Sequence, residues 1–211
     1  MSRSREDSHN PAGGMHRGNL HLDSLHPQSH QGVCADAIAT LEGISREALD
    51  ELSVESQRRA AVAIEEGRFD KSLIAVTDDD GNVLLDREEY PRPQTTLEGL
   101  AGLAPSFTKF GGYPAYEGGP TLNQQIEKEF DGLEIEHMHH AGNSSGVVDG
   151  AAAILIANSE YAQREGMTPR ARIVAMANMG DSPTLMLNAP VPATRKVLER
   201  AGMTLDDIDL F

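Results

Sequence analysis

An α/β fold with a large irregular insertion is what this sequence predicts, and three observations predict it. Apolar residues recur at helical spacing between residues 33 and 64. Two short apolar runs flank an Asp-Gly pair at Asp80-Gly81. Two further runs of small apolar residues, 147–157 and 172–179, have the length and composition of strands buried in a sheet. Aromatics make up only 4% of the 211 residues and Trp is absent, so a core must be built from Ala, Leu, Ile and Val.

The elements follow in chain order. Residues 1–29 are rich in Ser, His, Asn, Gly and Arg without periodicity and read as a flexible N-terminal segment. In QGVCADAIATLEG, Val33, Ala37, Ile38 and Leu41 share one helical face, and Gly43 stops the helix. ISREALDELSVESQRRAAVAIEEG makes a longer helix with Ser45 as N-cap and Glu47 at the positive end of its dipole. Leu49, Leu52, Ser56, Ala60, Ala63 and Ile64 form a narrow stripe of small and apolar residues along it, which implies a close neighbour; Gly67 is the stop. SLIAVTDDDGNVLLD predicts a hairpin, its three aspartates a solvated turn rather than a metal loop. Residues 90–136 are irregular, with a weak helix in TLNQQIEKEFDG. After the two strand candidates, NAPVPATRKVLERAGMTLDDIDLF predicts a Pro-started helix closed by Gly202, a surface turn at Asp206-Asp207, and a strand at 208–211. A chain that stops on a strand suggests a longer natural polypeptide.

Several function classes are excluded by bulk properties. A net charge of −15 leaves no basic face for nucleic acid. The single Cys cannot form an internal disulfide, which suits a reducing compartment. The polar start MSRSREDSHN is no signal peptide, and no apolar run approaches a membrane span. A soluble cytoplasmic protein is expected.

Few residues carry chemistry by pattern alone. His137, His139 and His140 make an HMHH cluster, but without ligands at zinc spacing it reads as a loop packed against polar neighbours. Cys34 lies near a helix start, four residues after His30; thiolate catalysis would need that setting, while a small packing residue needs nothing more. Thr194 follows PVPA at a helix start and reads as a helix cap. There is no Gly-rich nucleotide fingerprint and no GxSxG elbow. In HHAGNSSGVVDGAAAILIAN the nearly side-chain-free stretch implies a tight turn or a close backbone approach.

Four stretches, in order, resemble a thiolase: QGVCADAIATLEGISREALDELSVESQRRAAVAIEEGRFDKSLIAV, AGNSSGVVDGAAAILIAN, GMTPRARIVAMANMGDSP and APVPATRKVLERAGMTLDDIDLF. They look most like acetyl-CoA acetyltransferases and the 3-ketoacyl-CoA thiolases of fatty-acid β-oxidation. The resemblance implies a layered α/β/α/β/α fold of two similar halves, here incomplete. It divides the chain into the loop domain, 30–138, the end of the first half, 139–165, and the start of the second half, 166–211. It places the NSSGVVDGAA stretch, 143–152, beside the acyl-CoA site, and His30 and Thr194 near the pantetheine, although Gln31 stands where Met is usual. The substrates implied are acyl-CoA and coenzyme A, with no separate cofactor or metal, and a homo-oligomer is implied for the full-length form.

Thiolase chemistry requires a nucleophilic Cys, a His in Gly-His-Pro, a second Cys in Cys-x-Gly-Gly, and an Asn in Asn-Glu-Ala-Phe. None of those motifs stands in this sequence, and QGVCADAIA matches a family segment after the nucleophile, so no catalytic residue is assigned. The sequence therefore predicts the middle of a thiolase-type acyltransferase, inactive by itself. The alternatives are a non-catalytic acyl-CoA-binding or oligomerisation subunit, favoured by CoA binding without turnover, and a catalyst rebuilt around Cys34 and His30.

Overall fold

A computed structural model describes residues 21, 25–26, 28–116 and 118–211. The expected N-terminal segment, 1–29, lies almost wholly outside the described residues. Helix α1 (Gln31–Glu42) begins where the His30 side chain accepts from the Gly32 N–H, and Gly43 ends it. Helix α2 (Arg46–Glu65) starts on Ser45, whose hydroxyl accepts from Ala48 N–H. Both caps lie on the expected residues or beside them. Val33, Cys34 and Ala37 of α1 have no exposure and form the core with Leu122, Ile126 and Leu185. Phe107, Phe110, Phe130 and Leu133 pack around that cluster.

The hairpin forms as β1 (Val76–Thr77) and β2 (Val83–Leu85), antiparallel, with Val76 opposite Leu85. Gly81 takes φ 85° in the turn, a conformation that a side chain would strain. Asp78 accepts from the backbone N–H groups of Asp80 and Asn82, so the acidic run folds the turn upon itself. Short helices then punctuate the insertion: α3 (Leu97–Ala101), α4 (Thr108–Gly111) and α5 (Leu122–Glu127). Helix α5 carries a capping box, with Thr121 and Gln124 satisfying each other's backbone donors. It buries Leu122 and Ile126 against α1.

The later part of the chain departs from the sequence reading. Residues 147–157 and 172–179 form no strand, and residues 208–211 follow a 3₁₀ turn (Leu205–Asp207) instead of a strand. A strand exists only through a ladder to a neighbour, and the sole ladder among the described residues is the β1–β2 hairpin. Their apolar side chains stand open: Ile154 is 85% and Leu155 82% exposed. Helix α6 (Ser159–Arg164) starts on Asn158, and α7 (Pro190–Ala201) starts on Pro and is closed by Gly202. The α2 stripe is only partly covered: Leu52 is 70% and Ile64 50% exposed, while Leu49, Ala60 and Ala63 are half-buried.

Candidate functional site

Two buried carboxylates organise the molecule around the His-rich stretch. Asp36 sits on the inner face of α1 with no solvent exposure. It accepts from His137 Nδ1 at 2.7 Å, His139 Nδ1 at 2.6 Å, and the backbone N–H groups of Met138 and His139 at 3.1 and 2.9 Å. Burial by itself would raise its pKa; the hydrogen bonds from both imidazoles and both amides outweigh it and bring the carboxyl down to about 2. His137 Nε2 lies 3.1 Å from Asn123 Nδ2, which links α5 to the same cluster.

Asp50, on α2, does the same one residue further along. Its Oδ1 accepts from His140 Nε2 and from Asn143 Nδ2, each at 2.9 Å, and its Oδ2 accepts from Arg46 Nε at 2.8 Å. Burial again pushes upward, but Arg46, His140 and Asn143 hold the carboxyl below its ordinary range. Arg46 also donates to the carbonyls of Leu100 and Leu103, which ties α3 to the hub. The His stretch is thus a loop packed against acidic neighbours. Among the described residues no group of three or more His, Cys, Asp or Glu side chains is placed to hold a metal ion.

The AGNSSG stretch shows why it is almost free of side chains. At Gly142 a Cβ would collide with Leu100, and at Gly146 with the ring of Tyr90. The close approach anticipated from sequence is therefore present, and the turn beside it is closed by the Asn143 N–H on the His140 carbonyl without a left-handed glycine. Residues 142–145 form one wall of a cavity of about 410 Å³; Leu52, Ser56 and Gln57 of α2, with Tyr90 and Pro91, line the rest.

The two expected ligand-side residues are not brought together. His30 caps α1 and stacks on Phe110, ring centroids 5.1 Å apart, with Phe107 at 5.4 Å. Burial lowers its pKa. Thr194 does not cap: α7 begins four residues earlier, and its hydroxyl donates to the Pro190 carbonyl at 2.8 Å. It is exposed. Cys34 points into the core, its thiol donating to the Thr184 carbonyl at 3.3 Å, and burial pushes its pKa up to about 12. That environment suits a packing residue and disfavours a thiolate.

Sequence reasoning passed over Asp36, Asp50, Arg46 and Asn143. Two signals were available: an Asp between alanines in the middle of an apolar helix face, and an Arg–Asp pair at i,i+4 spacing. The donors that reach the two carboxylates from residues 137–143, 90 to 103 residues away in sequence, were not legible.

Among the described residues, no helix is long and apolar enough to cross a membrane. Comparison with known proteins gives one answer throughout. The thiolase N-terminal domain model matches residues 3–116, more than half of the chain, and the thiolase C-terminal domain model matches residues 167–211. An acetyl-CoA acetyltransferase of Syntrophomonas wolfei is 37% identical over 184 residues, 86% of this chain and 40% of the relative. A 3-ketoacyl-CoA thiolase of Hahella chejuensis is 37% identical over 206 residues, 96% of this chain and 44% of the relative. The crystal structure of the Bacillus anthracis acetyl-CoA acetyltransferase superposes with a TM-score of 0.67 at 30% identity, covering 91% of this chain and 43% of that one. The chain thus spans about two fifths of the length of its relatives. Its described fold is thiolase-like α/β in partial form, and with both family models matched in order the chain belongs to the thiolase family.

Proposed function

We propose that the chain is part of a thiolase-type acyl-CoA C-acyltransferase, an acetyl-CoA C-acetyltransferase or 3-ketoacyl-CoA thiolase of fatty-acid β-oxidation or acetoacetyl-CoA metabolism. The names carried by its relatives support the class. By itself the chain does not turn over substrate. The observation that carries this is Cys34: it is the only thiol in the sequence, and it is fully buried, with its proton held on a core carbonyl. A covalent acyl transfer needs an accessible thiolate, and nothing in this environment supplies one. On the proposed division, 30–138 is the loop domain, 139–165 closes the first half and 166–211 opens the second. The full-length form works as a homo-oligomer on acyl-CoA and coenzyme A, in the cytoplasm, and needs no separate cofactor.

A second reading is favoured by the packing between residues 28 and 146. That part carries the Asp36 and Asp50 hubs and nearly all of the buried core, as a self-sufficient acyl-CoA-binding or oligomerisation subunit would. The two readings share one element, an acyl-CoA contact at the stretch that begins at Asn143. They separate in an acyl-transfer experiment: the purified chain is mixed with acetoacetyl-CoA, and its intact mass and CoA affinity are measured. No acylated protein is expected under either reading. Tight CoA uptake favours the free-standing subunit, weak contact favours the partial enzyme, and an acyl adduct on Cys34 contradicts both.

A further inference from the structure

The hub at Asp50 has a geometry that exceeds what holding two helices together requires. Its Oδ1 receives two donors, and both come from the same four-residue turn, 140–143. Within that turn Asn143 N–H donates to the His140 carbonyl, His140 N–H donates to Asn143 Oδ1, and Gly142 N–H donates to His140 Nδ1. Nδ1 is thus an acceptor, so the ring proton sits on Nε2 and is committed to Asp50. The His140 side chain makes two hydrogen bonds and that of Asn143 three, the third to the Met138 carbonyl at 3.4 Å, and both side chains converge on one oxygen of a buried carboxylate. Arg46 holds the other oxygen and is anchored in turn to the carbonyls of Leu100 and Leu103. Rotating the carboxylate would break both of the bonds that anchor the turn to α2. Residues 142–145, which this lock fixes, form one wall of the 410 Å³ cavity, and α2 lines the other from Leu52, two residues after Asp50 itself.

We propose that Asp50 is a positioning residue for acyl-CoA: through His140 and Asn143 it fixes the 142–145 wall against α2 in the shape that the ligand meets. The proposal rests on the acyl-CoA contact that both functional readings share. Asp50 touches no ligand itself; it acts only through the turn.

The test compares the full chain with Asp50→Asn, His140→Leu, His140→Gln and Ile126→Val, all with coenzyme A as the probe. Hydrogen exchange of amides 142–145 reads the turn, and ligand-detected NMR titration reads the contact. Asparagine places an NH₂ against Arg46 or against the two donors of the turn, so Asp50→Asn speeds exchange at 142–145 and weakens CoA about tenfold, the size of one lost charge-assisted hydrogen bond. His140→Leu does the same by removing the donor, which keeps the proposal testable if Asp50→Asn does not fold. His140→Gln keeps a donor toward Asp50 and holds CoA affinity within about twofold of the wild type. Ile126→Val loosens the core elsewhere and leaves CoA affinity unchanged, which a purely structural role for Asp50 would not allow. Faster exchange in Asp50→Asn with unchanged CoA affinity overturns the proposal. So does weakening of equal size in Ile126→Val. A wild-type chain that makes no CoA contact overturns the shared acyl-CoA reading, and this result is recognised before any variant is compared.

Discussion

Asp36 receives four donors in a site with no solvent exposure, which makes it the residue whose loss is felt most. Asp36→Asn turns one acceptor oxygen into a donor facing other donors, and the cost is about 3 kcal/mol in urea unfolding. Its pH signature has a definite sign. The folded carboxyl titrates at about 2, below the ordinary 3.8, so its stabilising contribution is complete above 3.8 and is lost as the pH falls toward 2. The urea midpoint of the wild type therefore drops across that interval, and Asp36→Asn flattens this part of the curve. A mutant curve as steep as the wild type would show that other carboxylates dominate. Cys34 gives a second residue-level prediction. With its thiol proton held on the Thr184 carbonyl and its pKa near 12, it resists alkylation by iodoacetamide in the native chain and reacts promptly in urea. Rapid native labelling would mean that the core around α1 opens. At this scale the sequence was only partly legible. Ser45 and the Asp80-Gly81 turn were readable because their partners lie within a few residues. The partners of Asp36 lie more than 100 residues away, and no local pattern announces them.

The elements show the same division by range. Helices α1, α2, α5 and α7 were readable because apolar spacing, caps and stops act over one or two turns. Strands depend on neighbours, and the runs 147–157 and 172–179 have none among the described residues, so composition alone could not make them sheet. The misplaced cap at Thr194 has a local cause: Pro190 is favoured at the first helical position, which moves the helix start upstream and leaves Thr194 bonded back to the Pro190 carbonyl. Element-level stability is testable at α5, whose six residues would not hold without both the capping box and the packing of Leu122 and Ile126. Thr121→Ala removes one side of the box and is expected to cost about 1 kcal/mol, measured as a shift in the urea midpoint with an unchanged slope. No shift would mean that packing alone sustains the helix.

The whole molecule is uneven. Residues between 28 and 146 hold the two carboxylate hubs and most of the buried side chains, whereas Ile154, Leu155, Met176, Leu210 and Phe211 all lie more than 70% exposed beyond them. So much open apolar surface predicts dye binding and self-association of the purified chain, with hydrogen exchange slow in α1 and α5 and fast across 147–157. Uniformly slow exchange in a monomer would contradict that picture. The thiolase architecture was legible in the sequence because long stretches resemble the family in order; the family models match the first, third and fourth of those stretches, while AGNSSGVVDGAAAILIAN lies between the two matched ranges. The catalytic assignment turns instead on the single thiol and its burial. The most direct test of that claim is thiolysis of acetoacetyl-CoA by the purified chain, with Cys34→Ser alongside. The account predicts no turnover by either protein. Turnover by the wild type that disappears in Cys34→Ser would contradict it, and would mean that Cys34 leaves its place against the Thr184 carbonyl to act as the nucleophile.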